Sequence, residues 1–119
     1  MMRLLGFVFT IGFVLLSYSS SQSVDEYKQS VTKSVEKKMK DLKACFKGLK
    51  DEKGKPLQGK LILSWEIDEK GKPRDVSRSG GTLDNLEGFH CIQKKILKMK
   101  FSKPPQDRPV DYEREFYFD

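Results

Sequence analysis

A chain of 119 residues supports at most one small domain, which excludes multidomain machinery built from this chain alone. Its 23 Lys and Arg against 17 Asp and Glu leave a formal charge of +6, a balance that suits an anionic or acidic partner. Only one histidine and two cysteines are present, too few for the four protein ligands of a structural zinc site.

The first stretch, MMRLLGFVFTIGFVLLSYSSSQS, carries Arg3, then an apolar run from Leu4 to Leu16, then a Ser-rich zone. That order matches a secretory signal peptide over residues 1–21, with cleavage expected between Ser19 and Ser23 and an uncleaved anchor as the alternative. Export changes the downstream reading. The +6 charge would suggest nucleic acid for a cytosolic protein, whereas an exported one meets envelope polymers, membrane surfaces or acidic proteins. The expected location is the periplasm or the exterior, and the folded domain is expected over residues 24–119.

From Val24 to Leu49, apolar residues fall at Val24, Tyr27, Val31, Val35, Met39, Leu42, Cys45, Phe46 and Leu49, a spacing that predicts one long amphipathic helix. Gly54, Pro56 and Gly59 then mark a polar loop. In KLILSWEID the residues Leu61, Leu63, Trp65 and Ile67 alternate with polar ones, as in a half-buried strand. DEKGKP predicts a hairpin turn with Gly71 at positive φ, and the return strand RDVSRSG has Val76 as its clear core residue. A second helix is expected over TLDNLEGFHCIQKKILKMKF, capped by Thr82, with Leu86, Phe89, Ile92, Ile96 and Met99 buried. Pro104 and Pro105 stop it. The last segment, PVDYEREFYFD, reads as a strand with Val110, Tyr112, Phe116 and Phe118 on one face and Asp111, Glu113, Glu115 and Tyr117 on the other. No internal repeat is expected.

The element order predicts an α+β domain. Two sequential strands form a hairpin, and a crossover through the second helix brings the third strand beside the first, giving a three-stranded antiparallel sheet of order 2-1-3 with two helices on one face. Two helices packed side by side bring Cys45 and Cys91 within disulfide reach, closing a loop of roughly 45 residues worth about 4 kcal/mol in the chain-entropy model.

The ordered combination GKLILSWEIDEKGKPRDVSRSGGTLDN, CIQKKILKMKFSKP and REFYF resembles the TonB C-terminal domain superfamily. With ACF at the end of the first helix, it looks more closely like the AgmX/PglI C-terminal domain family, which pairs a cysteine before the first strand with one in the second helix. The likeness covers about residues 31–118; Met99 departs from it, standing where the family's helix commonly ends in an aromatic. What the resemblance implies is a binding module of the cell envelope, in a transport or motility assembly, that captures an extended segment of another protein by adding a strand.

His90 beside Cys91 suggests a metal corner or a Cys–His nucleophile, but adjacent helical residues point about 100° apart and the ligand count fails. Glu66, Glu113 and Glu115 share a flat sheet face with no pocket-forming loop, so neither catalysis, nor a metal, nor a cofactor is expected. The candidate binding edge is Asp111, Tyr112, Glu113, Arg114, Glu115, Phe116 and Tyr117. The lysines Lys94, Lys95, Lys98 and Lys100, with Lys103 beyond them, form the candidate patch for an anionic envelope polymer, the alternative function. A homodimer is left open; nucleic acid is not an expected partner.

Overall fold

The computed structural model describes residues 22–119, so the expected signal peptide lies outside the described residues. Helix α1 spans Val24–Lys37, α2 Met39–Lys43, a 3-10 turn Ala44–Phe46, strand β1 Gly59–Ile67, β2 Pro73–Gly81, α3 Leu86–Leu97, a second 3-10 turn Pro105–Asp107, and β3 Val110–Phe118. Among the described residues no helix is long and apolar enough to cross a membrane.

Helix α1 begins at a reciprocal cap. Ser23 Oγ accepts from the Glu26 N–H, and Glu26 Oε1 accepts from the Ser23 N–H. Tyr27, Val31 and Val35, four residues apart, form its buried face. The single helix expected to reach Leu49 is interrupted at Lys38 (φ −102°, ψ 4°). No proline or glycine lies at the break, so packing produces it: Leu42, Cys45 and Phe46 turn inward toward α3. Cys45 and Cys91 are joined by a disulfide with their Cα atoms 5.5 Å apart.

The sheet has order β2-β1-β3, both pairings antiparallel, as the crossover argument requires. Leu61, Leu63, Trp65 and Ile67 of β1, Val76 of β2, and Val110, Tyr112 and Phe116 of β3 form the buried face with the helices. Against β3 the pairing of β1 runs unbroken from Gly59↔Phe118 to Ile67↔Val110. Against β2 it slips twice, each time with an extra residue in β2, and Asp75 at the second slip adopts φ +56°.

Helix α3 starts three residues later than expected of a Thr82 cap. Asn85 is the N-cap, its Oδ1 accepting from the Gly88 N–H at 2.8 Å. The Thr82 hydroxyl accepts instead from the Lys60 N–H at 3.1 Å, and the Leu83 N–H donates to the Lys60 carbonyl at 2.9 Å. This extension of the β1–β2 pairing puts Leu83 in the core and leaves Leu86, expected to be buried, 68% exposed. The expected stripe survives at Ile92 and Ile96, with Phe89 and Met99 half-buried.

The expectation of no internal repeat is also corrected. The hexapeptide DEKGKP occurs at residues 51–56 and again at 68–73. In both copies the aspartate Oδ1 accepts two backbone N–H groups, from Lys53 and Lys55 at 2.8 and 2.9 Å and from Lys70 and Lys72 at 2.9 and 2.8 Å.

Candidate functional site

β3 lies at one edge of the sheet. Which of its backbone groups face outward follows from β1. The Lys60 N–H and C=O both engage the Thr82–Leu83 segment, on the β2 side. Backbone direction alternates along a strand, so Leu61, Leu63, Trp65 and Ile67 turn their backbone groups toward β3. Their partners there are Phe116, Arg114, Tyr112 and Val110. The backbone N–H and C=O groups of Asp111, Glu113, Glu115 and Tyr117 are therefore left on the open side.

Above this edge α1 supplies a second wall. Thr32 Oγ1 shares a hydrogen bond of 2.6 Å with Tyr112 Oη, and Arg114 Nη2 donates to Glu36 Oε2 at 3.5 Å. An open groove of about 440 Å³ runs along the edge, lined by Thr32, Tyr112, Glu113, Arg114, Glu115 and Tyr117. Of the seven expected edge residues, Tyr112 and Phe116 point into the core, and Arg114 is half-buried against α1. The other four are exposed. Nothing in the residue types of Thr32 and Glu36 points to a site, although their four-residue spacing beside the Val31–Val35 stripe marks them as neighbours on one helix flank.

Three carboxylates of the outer sheet face, Glu66, Glu113 and Glu115, have partners. Ser79 Oγ donates to Glu113 Oε2 at 3.1 Å, reaching across β1. Lys60 lies 3.9 Å from Glu115, which also accepts from the Tyr117 hydroxyl; that hydrogen bond raises the Tyr117 pKa above its ordinary value. Arg74 pairs with Glu66. Glu66 and Glu113 also line a wide, open hollow of about 530 Å³ together with Asp75 and Asp111.

The lysine cluster is divided by the fold. Lys95 Nζ donates to the Asp41 carbonyl at 2.7 Å and to its Oδ1 at 3.0 Å, fastening α3 to α2. Lys94, Lys98, Lys100 and Lys103 remain exposed. His90 is exposed beside Phe89, ring centres 5.7 Å apart, and both cysteine sulfurs are consumed by the bridge.

A further hollow of about 340 Å³ sits at the C-terminal end of β3. Phe46, Leu49, Leu57 and Phe118 give it an apolar lining, and Lys43, Lys47 and Lys50 stand around it with Asp119. The helical spacing predicts Phe46 and Leu49 on one helix stripe; instead the 3-10 turn at Ala44–Phe46 and the chain that follows it bring both to the strand end. Compared with family models, curated proteins and solved structures, the chain matches none of them.

Proposed function

We propose that the chain is a non-enzymatic interaction module of the cell envelope, working in an oxidising compartment, that binds an extended segment of another envelope protein as a fourth strand on β3. The observation that carries this reading is the open edge with four residues' backbone groups aimed outward along a groove. The bridge between Cys45 and Cys91 supports an extracytoplasmic location. The order 2-1-3 with helices on one face is also the arrangement that the resemblance to TonB C-terminal domains implies. Membership of the AgmX/PglI-type family, and a place in a transport or motility assembly, belong to this proposal.

The charge on the edge narrows the occupant. Asp111, Glu113 and Glu115 project from the outer face, so a docked strand that alternates Lys or Arg with small polar residues meets them favourably. A second copy does not, because every long antiparallel register of β3 on itself sets carboxylate opposite carboxylate. The module is therefore read as a receiver of a different protein.

The test is affinity capture from envelope extract with Glu113→Pro as the control. That change removes an outward N–H while leaving the β1 pairing intact, a substitution that edge strands tolerate. Capture of an envelope protein by the unaltered chain, its loss in Glu113→Pro, and its persistence at moderate salt support strand addition. Capture that instead falls with Lys94→Glu plus Lys98→Glu, and falls steeply with salt, favours the envelope-polymer reading.

A further inference from the structure

The hollow beyond Phe118 adjoins the edge groove, Tyr117 bordering both. Its floor is built firmly. The Phe46 ring lies over Gly88, where even a Cβ would come within 2.3 Å of it, and its centre is 4.5 Å from that of Phe118. Cys45, bridged to Cys91, anchors the adjacent residue. Leu49 and Leu57 are tied by the Leu57 N–H donating to the Leu49 carbonyl at 3.3 Å, and Lys50 bridges to Pro56. Lys43 Nζ stands 5.8 Å above the Phe118 ring. Among the described residues no ion pair engages Lys43, Lys47 or Lys50, whereas Asp119 is the one acidic residue lining the hollow. An apolar floor ringed by three lysines is complementary to an apolar side chain with carboxylates beside it.

We propose that this hollow is an anchor pocket for a large apolar residue, aromatic or aliphatic, flanked by acidic residues in the segment that pairs with β3. This rests on the strand-addition reading above. A segment antiparallel to β3, the more stable pairing, has its amino end at Phe118. The ligand is therefore ordered: an acidic-apolar-acidic group first, then a strand alternating basic and small residues opposite Asp111, Glu113 and Glu115. The opposite charges of the pocket rim and the strand edge set both direction and register.

Three acetylated peptides test it, each ending in the same alternating Thr-Lys strand and beginning with Glu-Phe-Glu, Lys-Phe-Lys or Ser-Ser-Ser. The Glu-Phe-Glu peptide is expected to bind about tenfold more tightly than the Ser peptide and about fivefold more tightly than the Lys-Phe-Lys peptide. In Lys47→Glu plus Lys50→Glu, both exposed positions, the order of the Glu-Phe-Glu and Lys-Phe-Lys peptides should invert. Equal binding of all three, with the Glu113, Glu115 and Tyr117 amides protected from exchange, overturns the pocket and leaves strand addition standing. Movement of Phe46 and Leu57 resonances without protection of those amides keeps the pocket and overturns strand addition. Failure of the Glu-Phe-Glu peptide to bind overturns both.

Discussion

The two copies of DEKGKP form the same turn in opposite surroundings. In each, the N–H of the glycine donates to the aspartate carbonyl, at 3.0 Å for Gly54 and 2.9 Å for Gly71, and the aspartate side chain gathers the next lysine amides. Both glycines lie at positive φ, +79° and +90°. The first copy stands in solvent, closed by the Asp51 N–H donating to the Lys55 carbonyl at 2.8 Å and by the isolated Lys50–Pro56 bridge. The second joins β1 to β2 and is docked: the Phe101 N–H donates to the Gly71 carbonyl at 3.0 Å, and Pro73 is buried against the sheet. Local sequence is sufficient for the turn's shape. Only the flanking residues decide whether it becomes a hairpin, since LILSWEI precedes the second copy and the irregular CFKGLK precedes the first.

The largest expected effect separates the copies through the disulfide, whose loop contains both. Replacing Cys45 and Cys91 by serine should destabilise the domain by about 4 kcal/mol in the chain-entropy model, measured by denaturant unfolding. Exchange of the Lys53 and Lys55 amides should then accelerate relative to Lys70 and Lys72, because sheet pairing still holds the second turn. Equal acceleration at both turns would show that the sheet does not stabilise the second copy by itself.

Glycine replacement gives the next contrast. A Cβ on Gly71 would lie 2.2 Å from the Phe101 carbonyl oxygen, whereas one on Gly54 meets nothing within 4 Å. Gly54→Ala should therefore show only the left-handed backbone penalty, about 1 kcal/mol, and Gly71→Ala about 3 kcal/mol. Matching losses in the two variants would mean that the Phe101 contact yields.

The smallest effect is electrostatic. Tyr27 donates to the Ser102 carbonyl at 2.7 Å, and burial, with the negative charge of Asp68 adding to it, pushes its pKa up to about 12. A raised folded pKa means that above pH 10 the unfolded chain loses this proton first. Stability should thus fall as pH rises from about 10 to about 12, and Tyr27→Phe should flatten that slope. Asp68→Asn should lower the tyrosine's titration midpoint, read by ultraviolet absorbance, while Asp51→Asn in the other copy should leave it in place.

Much of the fold was legible because it was written in alternation. The inward positions of β1 and β3 alternate with more exposed ones, so their faces could be read directly, and the crossover rule added the order 2-1-3. The helix ends were less legible. Thr82 has the chemistry of a cap, but the Lys60 backbone takes it, and Asn85 is left to start α3. The break at Lys38 has no local signal because distant packing makes it. The same reason hid the anchor hollow, which joins Phe46 to Phe118 across 72 positions of chain that no periodicity connects.

The slips in β2 bear on how many partners the sheet can take. With two extra residues and Asp75 in a left-handed conformation, the outer edge of β2 is irregular, and the Arg78 side chain folds back onto the Gly81 and Leu83 carbonyls. Only β3 offers a straight template. Under the strand-addition proposal, the irregular β2 edge leaves β3 as the one place where a partner strand docks, so each chain is expected to take one such segment.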